Sequence, residues 1–170
     1  MNENRTKHFS AGKIAGLAIV LLLAGGLAYG YFQAQATEIV VYKSPYCGCC
    51  VKWVEHLEAN GFTVKSVSVD NMNAIKKDAG LPSGLASCHT AIVDDRYVVE
   101  GHVPAEDIAE LLQDRPDIKG LAVPGMPAGS PGMESPDPVR YEVLAFDEDG
   151  AVRVYDRHQG HEDPSDQPGR

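Results

Sequence analysis

Apolar positions along this chain follow several distinct patterns. Ile14 to Phe32 runs without a charged residue, and Arg5, Lys7 and Lys13 precede it. Glu38-Ile39-Val40-Val41-Tyr42 is short, β-branched and apolar on both faces, the pattern of a buried central strand. From Val51 to Asn60, Val51, Val54 and Leu57 recur at helical spacing with Lys52, Glu55 and Glu58 between them, and Gly61 follows as a C-terminal cap. Phe62 to Val69, rich in Val, Ser and Thr, predicts a second strand, and Asn71 to Ala79 a short helix ended by Gly80 and Pro82. Ala91–Val93 and Tyr97–Glu100, joined by Asp94-Asp95-Arg96, predict a β-hairpin. Pro104 suits the first position of a helix through Ala105 to Asp114, with Ile108, Leu111 and Leu112 on one face and Pro116 just beyond.

The order β-α-β-α-β-β-α is that of thioredoxin-like folds, so the expected class is α/β, thioredoxin-like over residues 37–120. From Leu121 the character changes. Val123 to Glu134 is rich in Pro and Gly, carries Met126 and Met133, and predicts no regular structure. Tyr141–Phe146 and Ala151–Tyr155, joined by Asp147-Glu148-Asp149-Gly150, predict a second hairpin. Residues 121–158 are therefore expected to be a Gly/Pro/Met loop and added hairpin packed on the same domain. Residues 159–170, almost without apolar side chains, are expected to be a disordered acidic tail.

The opening segment reads as an export signal. Basic residues hold the N-terminus in the cytoplasm, so the chain beyond the apolar run is delivered across the membrane, to the periplasm. Ala34-Gln35-Ala36 is a small-residue cleavage pattern that would leave Thr37 as the mature N-terminus, making residues 1–36 a signal peptide; uncleaved, the same run would be a membrane anchor, the only membrane contact expected. Loss of residues 1–36 removes three bases and one acid and moves the net charge from −9 to −11. So acidic a domain repels phosphate backbones, which excludes nucleic acid as a partner, and attracts cations.

Ser44-Pro45-Tyr46-Cys47-Gly48-Cys49-Cys50 packs three of the four cysteines into four positions, directly after the first strand and at the N-terminus of the predicted first helix. Unpaired amides and the helix dipole there favour thiolate. In an oxidising compartment cysteines usually form structural disulfides, yet a bridge within Cys47 to Cys50 closes almost no loop and would contribute little stability. Several thiolates converging from one turn suit a thiophilic metal. A Zn(Cys)₄ site normally draws two separated ligand pairs, and three ligands from one turn would strain a single tetrahedron, so Cu(I) is the better fit. Tyr42, Tyr46 and Trp53 are expected to pack around this site.

The piece from Val40 to Cys50 resembles the first strand and P-x-C-x-x-C loop of glutaredoxins, and Gly101-His102-Val103-Pro104 falls where those proteins begin their last helix. Thioredoxin-like folds place a cis-proline before the third strand. This chain has Cys88-His89-Thr90 at that place, which would deliver the fourth cysteine to the other three. The combination of C-G-C-C, S-C-H-T, G-H-V-P, G-L-A-V-P-G-M-P and G-S-P-G-M-E, spanning about Glu38 to Tyr155, resembles the CopG-type periplasmic copper proteins found with copper-resistance systems, which are unrelated to the plasmid repressor of the same name. The resemblance implies Cu(I) bound by Cys47, Cys49, Cys50 and Cys88, as a multinuclear thiolate cluster, and a role in copper redox handling. His89, adjoining Cys88, and His102, at the start of the last helix, are the next ligand candidates, because imidazole also suits Cu(II). Met126 is a candidate transient ligand, with hydrophobic anchoring of the loop as the alternative for both methionines. His158 and His161, amid Asp156 and Asp163, are read as part of a solvated tail with weak Cu(II) affinity as the alternative.

The expected function is sequestration of periplasmic copper in copper homeostasis, with interconversion of Cu(I) and Cu(II) as an additional role; as an enzyme it would be a copper oxidoreductase. One alternative is a thiol-disulfide oxidoreductase with Cys47 as nucleophile and Cys50 resolving. Another is a non-redox copper chaperone serving an efflux system. Expected partners are copper ions and periplasmic copper efflux or resistance proteins.

Overall fold

A computed structural model describes residues 38–158 of the chain. The expected export segment, the acidic tail and His161 lie outside the described residues. Seven strands form one mixed sheet in the order β2-β1-β3-β4-β5-β6-β7. Strand β1 (Glu38–Lys43) is followed by helix α1 (Gly48–Ala59), which returns the chain to β2 (Thr63–Ser68), parallel to β1. Helix α2 (Met72–Asp78) then leads to β3 (His89–Val93), antiparallel to β1, and to β4 (Tyr97–Gly101), antiparallel to β3. Helix α3 (Ala105–Asp114) is the crossover from β4 to β5 (Gly120–Val123), which lies parallel to β4. The antiparallel pair β6 (Tyr141–Phe146) and β7 (Val152–His158) completes the sheet, with a register irregularity at Val143/Leu144.

The period of two along the strands divides two cores. Ile39, Val41, Ala91, Val93, Val99, Leu121, Val123, Val143 and Ala145 face one side, where they bury Trp53 and Leu57 of α1 and Ile108 and Leu111 of α3. Val98, Ala122 and Phe146 face the other side with Leu85 and a margin of Ala79, Leu81, Ile92 and Leu144. Each large apolar side chain fully buried this way contributes about 1.5–3 kcal/mol. Helix ends follow local chemistry. Asn71 Oδ1 accepts the Ala74 N–H at 3.2 Å to start α2, and Gly61, at φ 88°, takes the left-handed turn after α1. Pro104 stands one position outside α3, as its N-cap, rather than as its first residue.

The predicted order of elements through Asp114 is found, and the principal difference lies beyond it. Gly120–Val123 is a fully buried strand between β4 and β6, so Val123 is regular structure. A four-residue strand buried on both faces shows no alternation, and this one runs directly into Pro124-Gly125. Gly120 is required there, because a Cβ would lie 1.9 Å from the Val98 carbonyl oxygen. Residues 124–140 carry no helix or strand. Among the described residues no helix is long and apolar enough to cross a membrane.

Candidate metal centre

The turn after β1 closes with the Cys47 N–H donating to the Ser44 carbonyl at 3.2 Å, which makes Cys47 the N-cap of α1 and places Cys49 and Cys50 in its first turn. β1 and β3 are antiparallel neighbours, with Lys43 opposite His89, so the residue before β3, Cys88, arrives beside that turn. The four sulfurs form one group whose members all lie within 4.8 Å of one another. Cys49 Sγ is 3.5 Å from Cys47 Sγ and 4.0 Å from Cys88 Sγ. Cys47 and Cys50 are joined as a disulfide, and Cys49 and Cys88 are free. The bridge joins the pair that the thiol-disulfide alternative uses as nucleophile and resolving cysteine, and it closes almost no loop. A C-x-x-C pair at a helix start meets the Cα separation a disulfide needs, here 5.4 Å, whatever its small effect on stability. All four sulfurs become available to a metal only once that bond is reduced.

Two imidazoles complete the cluster. His89 Nδ1 lies 3.3 Å and His102 Nε2 3.1 Å from Cys88 Sγ. His102 Nδ1–H donates to the Pro131 carbonyl at 2.7 Å, which assigns the proton to Nδ1 and leaves the Nε2 lone pair directed at the sulfur. Both rings are fully buried. Desolvation is the main cause that lowers the pKa of His89 to about 3, with His102 and Lys76 adding to it. Desolvation also lowers that of His102, against the Pro131 carbonyl and Glu134. Both are therefore neutral, the ligating form. His89 Nε2 has no hydrogen-bond partner among the described residues. The Trp53 ring packs on His89 with centroids 4.2 Å apart and is itself pinned by its Nε1–H to the Val103 carbonyl at 2.8 Å.

Burial, followed by the charge of and hydrogen bond to Cys49, pushes the Cys88 thiol up to about 12. The helix-terminal argument for ionised thiols thus does not extend to Cys88, which sits in the loop before β3 and not on α1. A cation binding there must displace its proton.

Sequence reasoning missed the support behind Cys88. Glu100, fully buried in β4, accepts the Ser87 N–H at 2.5 Å and the Thr90 hydroxyl at 2.7 Å, and pairs with buried Lys76 of α2, whose ammonium also reaches Thr90 Oγ1 at 3.1 Å. The residues on both sides of Cys88-His89 are thereby tied to one carboxylate. The available signal was an acid inside the strand Tyr97-Val98-Val99-Glu100, whose neighbours are apolar on both faces. The 124–140 segment lies against the same turn. Gly132, at φ 84°, packs so closely that a Cβ would be 2.9 Å from both Cys49 O and Trp53 N. Glu134 Oε1 accepts the Gly132 N–H at 2.8 Å, and Glu134 pairs with Lys52 of α1 at the surface.

The structure thus brings Cys47, Cys49, Cys50, Cys88, His89 and His102 together. Met126 does not join them through any hydrogen bond among the described residues; it lies at φ 53° and is 39% exposed. Tyr46 projects into solvent, 94% exposed, instead of packing on the site.

Four sulfurs, two neutral imidazoles and the walls around them define an α/β protein with a cysteine-rich centre able to hold a metal ion. A solved structure of copper resistance protein CopG, form 2, is 44% identical, covers 73% of this chain and 99% of its own, and superimposes with a TM-score of 0.69. Form 1 of the same protein is 45% identical, covers 72% and 97%, and gives 0.67. The chain belongs to the family of copper resistance protein CopG. The family described as "Protein of unknown function, DUF411" matches residues 85–133, which include Cys88, His89 and His102 but not the cysteine turn. No curated protein sequence matches the chain.

Proposed function

We propose that this protein is an exported copper-resistance protein that sequesters Cu(I) in a multinuclear cluster held by Cys47, Cys49, Cys50 and Cys88, with His89 and His102 beside them. The observation that carries this reading is the convergence of four sulfurs within 4.8 Å with two buried, neutral imidazoles on the Cys88 side. Bridging thiolates can hold more than one soft ion. The order β-α-β-α-β-β-α, with β1 between β2 and β3, supports a thioredoxin-like reading of residues 37–120. The basic and apolar opening and Ala34-Gln35-Ala36 support export to the periplasm with cleavage before Thr37. Copper efflux and resistance proteins are the natural recipients of the cargo.

Anaerobic Cu(I) titration of the reduced protein followed by X-ray absorption tests this reading. Several equivalents in a sulfur-dominated shell are expected; one equivalent, or oxygen and nitrogen alone, would overturn it.

The Cys47–Cys50 disulfide favours a second, redox role. Two Cu(II) ions would each take one electron from the Cys47/Cys50 dithiol, which closes to the disulfide and releases two protons. Cu(II) added to the reduced protein should form one disulfide per two copper ions reduced. The same pair would serve a thiol-disulfide oxidoreductase, and insulin reduction comparable to that by an authentic thioredoxin, lost in Cys47→Ser, would promote that role over copper handling.

A further inference from the structure

A second cluster of metal-ligating side chains stands apart from the sulfurs, where the first turn of α3 meets the end of β7. His158 Nε2 lies 2.8 Å from Asp107 Oδ2 and 3.5 Å from Asp156 Oδ2. The three ligating atoms all lie within 4.8 Å of one another. We propose that Asp107, Asp156 and His158 form a binding site for one borderline divalent cation of the Zn(II) or Cu(II) class.

Three observations carry the proposal. The first is an orphaned oxygen. The Asp107 side chain is only 1% exposed, and its carboxylate faces His158; yet Oδ1 is buried without a hydrogen-bond partner among the described residues. An unpaired buried carboxylate oxygen is costly unless something supplies positive charge.

The second is spacing. A cation bound to nitrogen and oxygen at 2.0–2.2 Å holds its ligand atoms about 2.8–3.5 Å apart for octahedral to tetrahedral angles. The two separations measured from His158 Nε2 span that interval, so an ion could replace the proton between these groups with little movement. The tautomer this requires puts the proton on Nδ1, which faces Glu106 Oε1 at 4.0 Å, the kind of outer carboxylate that orients ligating histidines.

The third is charge and orientation. Asp107, Asp156 and Glu106 set three carboxylates around one imidazole, at 2.8, 3.5 and 4.0 Å from its nitrogens. The Tyr141 ring stacks on His158 with centroids 5.2 Å apart and fixes the imidazole plane. A surface cleft of about 450 Å³ borders His158 together with Arg140, Tyr141, Glu142 and Arg157. Arg157, which also lines the cleft, is held by Glu142 at 3.0 Å.

One imidazole with two carboxylates is borderline in softness. It favours Zn(II) and Cu(II) over Mg(II) and Ca(II), which prefer oxygen alone, and over Cu(I), which prefers sulfur. The site is independent of the sulfur centre in its ligands.

The test is a Zn(II) titration of the full chain, read by the ring-nitrogen shifts of His158, with Cys Cβ shifts reporting the sulfur centre separately. His158 Nε2 should shift and saturate at one equivalent for its site. Asp107→Asn should weaken that transition about tenfold or more, and Asp156→Asn, at a half-exposed position that leaves the core intact, should weaken it severalfold, each without changing the Cys shifts. Ca(II) at the same concentration should leave His158 unmoved. An unperturbed His158 ring at saturating Zn(II), an Asp156→Asn titration identical to that of the natural chain, or equal competition by Ca(II) would overturn the proposal and identify the contact as a structural clasp between α3 and β7.

Discussion

His102 directs its Nε2 at the sulfur of Cys88 from 3.1 Å, while the carbonyl of Pro131 holds the opposite nitrogen's proton. The relationship joins three separate parts of the chain: the loop before β3, the end of β4 and the Gly/Pro segment after β5. None is close to another in sequence, and each contributes one element of a ligating geometry: the sulfur, the lone pair, and the acceptor that fixes the tautomer.

This arrangement predicts unequal effects from its two members. Cys88→Ser should cut the number of Cu(I) equivalents bound by the reduced protein, because it removes the sulfur that links the turn to the imidazoles. His102→Gln should keep the equivalents but weaken the tightest about tenfold and reduce, with His89 still in place, the nitrogen scattering in the X-ray absorption spectrum. Competition against a chromophoric Cu(I) chelator measures both. Equal equivalents in Cys88→Ser and the natural chain would contradict the geometry.

The Cys47–Cys50 disulfide predicts a redox-gated capacity. Oxidised protein has two free sulfurs, Cys49 and Cys88, and should bind at most about half the Cu(I) taken up after reduction. Thiol counting alongside the same chelator competition checks this. Identical capacity in the two states would mean that Cys47 and Cys50 are not ligands.

Legibility in the sequence divides along physical lines. The elements through Asp114 could be read because each carries its own periodicity and its own stop signals, such as Gly61 and Pro116. The meeting of Cys88, His89 and His102 with the turn was legible through the likeness to thioredoxin-like folds, in which the loop before the third strand lies against the cysteine turn. Strand β5 was hidden because four residues buried on both faces look like the start of the Pro/Gly segment. The sequence named Cys47 and Cys50 both as metal ligands and as a redox pair and could not choose between them, because C-x-x-C spacing permits both a bridge and a pair of ligands. Glu100 was hidden because its three donors, Lys76, Ser87 and Thr90, come from two other elements and a loop, and no local pattern announces such a convergence.

That convergence predicts a large stability effect. Glu100→Gln leaves the buried Lys76 ammonium without its counter-charge, and breaking a buried pair costs about 3–5 kcal/mol. Urea unfolding of the metal-free protein should show a loss of that order. Lys76→Met in the same background should recover a large part of it, because the uncompensated charge is then gone. A Glu100→Gln loss below about 1 kcal/mol would mean that water already relieves the Lys76 charge.

His56 links the two helices that flank the sulfur centre, and it predicts a pH dependence. Its Nε2 accepts the Ala105 N–H at 3.1 Å, so this contact between α1 and the start of α3 requires an unprotonated nitrogen. Burial lowers the His56 pKa below the ordinary 6.5, outweighing Glu106 and Glu134, which act to raise it. Because the folded pKa lies below the unfolded one, the contribution to stability is complete above the ordinary value of 6.5 and is lost as the pH falls through the folded value. His56→Gln keeps an acceptor that does not titrate. Other groups titrate in the same window, so the informative quantity is the difference between the two proteins. Urea midpoints from about pH 7.5 to about pH 5 should show the natural chain losing stability relative to His56→Gln, and a difference that stays constant over that range would mean the Ala105 contact does not depend on the charge of His56.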